Sequence, residues 1–156
     1  MRRDMLAMQW DPLTEFDARE IEESLRTAYV DTVLRTALLR RHAEIAPQEY
    51  SAATLLRLAQ LGDTQLDLLA EALTARAVAL PPPPAVLADD SRNHWQRLVQ
   101  DLERHTTAIE RCQHAGIRFD RDQPLSLVFA ELQRSCELQR RQLRGLIARA
   151  DAQALD

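Results

Sequence analysis

The sequence predicts an all-α protein, a four-helix bundle whose second and third helices are joined by a long proline-rich crossover. Three observations lead there. Apolar residues recur every three or four positions through four separate stretches, the period of a helix with one buried face. Helix breakers are scarce: the 156 residues include three glycines and seven prolines. Ala, Leu, Arg, Glu and Gln, all good helix formers, dominate the rest, and no alternating strand pattern is present. The length suits one domain with a single continuous core.

Residues 1–16 read as a flexible N-terminal leader in which Asp11-Pro12 forms a turn, and 17–151 as the bundle domain. The first helix is expected over 17–46, with the stripe Ile21, Leu25, Ala28 and Tyr29 broadened by Val30, Val33, Leu34, Ala37 and Leu38. The acids crowded into 11–23 favour a helix start. Pro47 stops the helix, and the short link 47–50 forces the next one back antiparallel. That second helix spans 52–78, capped by Ser51, with Leu55, Ala59, Gly62, Leu66, Leu69 and Leu73 on its inner face.

The third helix is expected over 91–115, with the stripe Trp95, Leu98, Val99, Leu102, Thr106, Ile109 and Cys112, and with Gly116 just past its end. The fourth spans 124–150, opening on Pro124 and presenting Leu125, Val128, Leu132, Cys136, Gln139, Leu143 and Leu146. Between the second and third helices stand Pro81 to Pro84, which favour an extended polyproline conformation. Extended, residues 80–90 reach about 34 Å, close to the ~40 Å of each helix. A simple up-down-up-down bundle, the alternative, needs only ~2–8 residues there. The crossover accounts better for the segment.

Composition excludes several classes. Net charge is −4, and all 20 basic residues are arginine, with no basic stripe or aromatic cluster, so nucleic acid is not an expected partner. The longest uncharged run, 77–88, carries four prolines and is too short to cross a bilayer. Met1 to Trp10 do not form a secretory signal, and two cysteines are too few for a disulfide framework. A cytoplasmic protein is expected.

Ala28-Tyr29-Val30-Asp31 through His42-Ala43, and Leu66-Asp67 through Glu71-Ala72-Leu73, resemble the first two helices of the ferritin-like superfamily of bacterioferritin and rubrerythrin type. The resemblance implies a di-iron site with one Glu from each of two helices and a Glu-x-x-His pair from each of the others. In this register those positions fall at Thr32, at Gly62 and Gln65, at Asp101, and at Cys136 and Gln139. Folding each hairpin about its turn sets Thr32 level with residue 66 and Asp101 level with Gln139. Only Asp101 keeps a carboxylate, and one acid cannot hold two buried divalent ions.

The expectation is therefore a non-catalytic bundle with a degenerate metal site and no resident cofactor. It would act through self-association, as a homo-oligomer such as a dimer, or through a protein partner. A second reading is a metal-binding oxidoreductase or iron-handling protein, with iron or manganese near Asp101, His105 and Cys136. A third is a small-ligand or stress-response binding module using a cavity near Gly62. Other residues read more plainly. Asp101 and His105 pair across one helical turn as surface partners, and His42 is solvated or salt-bridged. Cys112 and Cys136 act as small apolar groups with no disulfide between them. Gly62 permits close helix packing.

Overall fold

The computed structural model describes the backbone of residues 11–85 and 91–154. Four helices account for most of it: α1 (Asp11–Glu44), α2 (Glu49–Ala75), α3 (His94–Arg118) and α4 (Gln123–Ala154). No strand occurs among the described residues. The expected elements are all present, but their ends differ. Asp11-Pro12 opens α1 rather than forming a turn, because proline is tolerated in a first helical turn. The part of the expected leader over 1–10 lies outside the described residues.

Ser51 is not a cap. It is buried inside α2, which Gln48 precedes in an extended conformation. Asn93 caps α3, its side chain accepting from Gln96 N–H at 2.9 Å. Gly116 does not end α3; the helix runs on to Arg118. The left-handed terminator is instead Ala77, at φ 57° after α2. There Val78 N–H bonds Leu73 C=O and Ala77 N–H bonds Thr74 C=O, a Schellman ending built without glycine.

α1 packs along α2, and α3 along α4, as two hairpins. The hairpins meet through α1 against α3 and α2 against α4. Both contacts are antiparallel. Along α1 and α3, Arg118 reaches Glu20, Arg111 reaches Asp31, and Asp101 reaches His42. Between α2 and α4, Arg76 pairs with Asp122 at one end while Gln139 bonds Leu58 near the other. It follows that α2 and α3 run parallel. The chain from Arg76 to Asn93 travels the length of the bundle, as the prolines predict.

The core is not the continuous one expected. One apolar cluster gathers Ile21, Leu25, Leu69, Leu73, Phe119, Leu125 and Phe129 at the end where α1 begins. Another gathers Leu39, Leu55, Leu58, Leu98, Leu143 and Leu146 at the opposite end. Between them lies a belt of buried polar groups: Thr32, Arg35, Thr36, Gln65, Asp101, His105 and Gln139. The belt overturns two stretches of the apolar reading. In α1, Thr32, Arg35 and Thr36 turn inward while Ala37 is exposed. In α3, Asp101 and His105 face the core, whereas Trp95 is 43% exposed.

Candidate functional site

Each helix contributes to the belt at mid-height, where helical spacing stacks residues three or four apart on one face. The six positions aligned with ferritin-type ligands all lie in it. Thr32, Gln65, Asp101, Cys136 and Gln139 are each at most 2% exposed, and Gly62 is buried. The fold links Thr32, Gln65, Cys136 and Gln139 around Arg35, whereas Asp101, buried rather than paired with His105 at the surface, meets His42, ten residues beyond Thr32 along α1.

What occupies that level was not foreseen. Arg35 enters from α1, one turn after Thr32. Its Nε donates to Asp31 Oδ2 at 2.9 Å, its Nη2 to Thr32 Oγ1 at 3.1 Å, and its Nη1 to Cys136 Sγ at 3.6 Å. Burial opposes the charge, but Cys136 and Asp31 together hold the pKa above the ordinary arginine value. The guanidinium is therefore a fixed internal cation. The only hint in the sequence is its place on the 25, 28, 32, 35, 39 ladder of α1.

Amides fill the next part of the belt. Gln65 Nε2 donates to Gln139 Oε1 at 2.9 Å and to Ser135 Oγ at 2.7 Å. Gln139 Nε2 in turn donates to the Leu58 carbonyl at 2.8 Å, and the Cys136 thiol points weakly at Gln65 Oε1, 3.9 Å away. Gly62 lets α1 come close: a Cβ there would collide with Thr36 Oγ1. That is the close packing expected of Gly62, and the space beside it is filled.

On the α1–α3 side, His42 Nδ1 and Asp101 Oδ2 lie 2.6 Å apart, both side chains almost wholly buried. Arg104 Nη1 stands 3.7 Å from the other carboxylate oxygen. His105 Nδ1 donates to the Asp101 carbonyl at 2.7 Å, which leaves Nε2 as the acceptor nitrogen. Nε2 has no hydrogen-bond partner among the described residues. Burial, aided by the charge on Arg35, lowers the His105 pKa to about 3, so the ring is neutral at physiological pH.

These residues do not fit a metal pair. Asp101 is engaged by His42 and Arg104, a glutamate at position 62 would strike Thr36, and a guanidinium holds the centre against a second cation. No three His, Cys, Asp or Glu side chains converge among the described residues. Both cysteines are free. Burial raises the Cys136 pKa, and burial, then the neighbouring Cys136, pushes Cys112 up to about 12. Neither thiol is a poised nucleophile.

Beside the belt, α1 and α3 are separated by a cavity of about 700 Å³, with α4 behind it. Small side chains on the facing helices, Ser24, Thr27 and Ala28 against Thr107, Ala108 and Ala115, leave this space open. Thr32, Arg35 and Cys136 line its inner part. Gly62 does not line this cavity, whereas Thr32 and Cys136, beside which a pocket is expected, do.

No helix among the described residues is long and apolar enough to cross a membrane. Compared with known proteins, the chain matches no family model and no curated sequence.

Proposed function

We propose that this chain is a non-catalytic binding module derived from a ferritin-like bundle, in which an internal arginine has replaced the metal pair. One observation carries the reading. Arg35 stands at the level of the former ligand positions, bonded to Thr32 and Cys136, which occupy two of them. A cation there serves the structural part of the metals' role, tying α1 to α4, and supplies no redox chemistry. The single crossover supports the ancestry, since ferritin-like bundles use one such connection.

The protein on this reading has no resident cofactor and is not an enzyme. Metal analysis of chain purified without chelator tests it. Substoichiometric iron and manganese are expected, and a stoichiometric amount of either would overturn it in favour of an iron-handling or oxidoreductase function. A cytoplasmic location belongs to the same proposal, supported by two free thiols of the kind that compartment keeps reduced.

Self-association accompanies the binding role. Leu127 and Leu138, three turns apart on one face of α4, are both exposed, and Leu138 edges a hollow against Leu61 of α2. These two leucines, on either side of the exposed Glu131–Arg134 pair, support pairing with a second copy of the chain. Light scattering coupled to size exclusion is expected to return a dimer that Leu138→Glu dissociates; a strict monomer would count against it.

A further inference from the structure

The replacement of metals by Arg35 does not explain why a cavity reaches it. A guanidinium carries five N–H groups. Three of those on Arg35 are used, by Asp31, Thr32 and Cys136. One N–H on each Nη nitrogen therefore has no partner among the described residues. At 4% exposure solvent serves them poorly, and an incompletely matched buried cation is costly.

The charge around it is also uneven. Asp31 is shared by two arginines, Arg35 at 2.9 Å and Arg111 at 3.7 Å, and all three line the cavity. Because Asp31 is divided between Arg35 and the 56% exposed Arg111, the buried guanidinium is incompletely matched. Acids also line the cavity, but Glu20 is engaged by Arg118. Glu23 and Glu110 are exposed at the mouth, where salt screens charge over roughly 8 Å. Arg35 is buried, so its field is the least screened. Ser24, Thr27, Thr107 and His114 add polar groups to the wall, and Ala108, Ala115, Phe119, Phe129 and Leu132 give it an apolar side.

We propose that the cavity between α1 and α3 binds a small amphipathic monocarboxylate. Its two oxygens accept the two unmatched Nη hydrogens of Arg35, and its apolar body lies along Phe119, Phe129 and Leu132. The paired oxygens of a carboxylate match the fork of a guanidinium, as a single hydroxyl does not. A volume of about 700 Å³ holds such a molecule whether its body is aliphatic or aromatic. Binding is non-covalent. This inference rests on the binding-module reading and names the ligand class for it.

Calorimetry on the full chain tests it, with decanoate and 3-phenylpropionate as probes and 1-decanol and 3-phenylpropanol as uncharged controls. Saturable one-site binding of at least one acid is expected, about tenfold or more tighter than its alcohol, the scale of a charged hydrogen-bonded contact. Which acid binds distinguishes an aliphatic from an aromatic ligand. Arg35→Met should bring the acid down to the level of the alcohol, and Ala115→Phe, which fills the cavity, should abolish both. Should Arg35→Met fail to fold, Arg111→Gln on the surface decides: it should weaken the acid several-fold and leave the alcohol unchanged. Absence of saturable acid binding, equal binding of acid and alcohol, or indifference to these substitutions would overturn the proposal. Failure here with a metal-free protein removes only the ligand class, whereas stoichiometric metal removes the reading beneath it.

Discussion

Acidification should loosen this bundle through one buried ring. His105 is held neutral, with a pKa of about 3 against 6.5 in an unfolded chain. Below pH 6.5 the unfolded chain takes up a proton on this ring and the folded chain does not, so unfolding gains as pH falls. The stabilisation is complete above pH 6.5 and declines through the window down to about 3. Over the whole window the shift corresponds to about 5 kcal/mol. Between pH 7 and pH 5 the loss is about 2 kcal/mol, a large part of the 5–15 kcal/mol of an ordinary domain. Urea unfolding at both pH values, for the wild type and for His105→Gln, isolates it. His94, whose pKa burial also lowers, titrates in both proteins and cancels in the difference. The wild type should lose about 2 kcal/mol more than the variant on going to pH 5. Equal losses would refute the placement of a neutral His105 in the belt.

Two further perturbations follow from the packing. Gly62→Ala improves helix propensity by ~1 kcal/mol, yet the new methyl meets Thr36 Oγ1, so chemical denaturation should report a net loss of about 1–3 kcal/mol. Gly62→Ala combined with Thr36→Ala should recover most of that loss; additive losses would show that the close approach of α1 and α2 is not the cause. Asp101→Ala leaves His42 buried without its carboxylate, for a loss of about 3–5 kcal/mol by the same measurement. Asp63→Ala, which breaks the exposed pair with Arg40, should cost less than about 1 kcal/mol. Comparable effects at the two sites would contradict the burial of the Asp101 pair.

Most of the fold was legible because it follows from spacing. The α4 stripe from Leu125 to Leu146 lies inward, only Val128 being half-buried. The proline segment carried the connectivity, since its reach matches a helix length. Hairpin arithmetic sets Thr32 level with residue 66 and Asp101 level with Gln139, but it carries no information on the stagger between hairpins, which puts Asp101 against His42. Hydrophobic pattern failed at mid-height, where burial and polarity coincide. Val33, Leu34 and Ala37 outweighed Thr32, Arg35 and Thr36 as an apolar stripe, although the polar three are the more buried. Trp95 misled α3 in the same way. Nothing local marks an arginine as internal; its partners come from α1 and α4, 101 residues apart in the chain at Cys136. The cavity was illegible for a related reason, because it is set by how small residues of α1 and α3 face one another. Helix ends went astray where the capping residue was ordinary, as with Ala77 in a position that usually takes glycine.

The parallel run of α2 and α3 has a consequence for anything attached to the chain. α1 starts beside the α3–α4 turn, whereas α4 finishes beside the α1–α2 turn, so the start of the first helix and the end of the last lie at opposite poles. A domain tethered ahead of α1 and another tethered behind α4 would be held a rod's length apart. Joining the two poles to make a permuted chain would require a second linker as long as the proline strap.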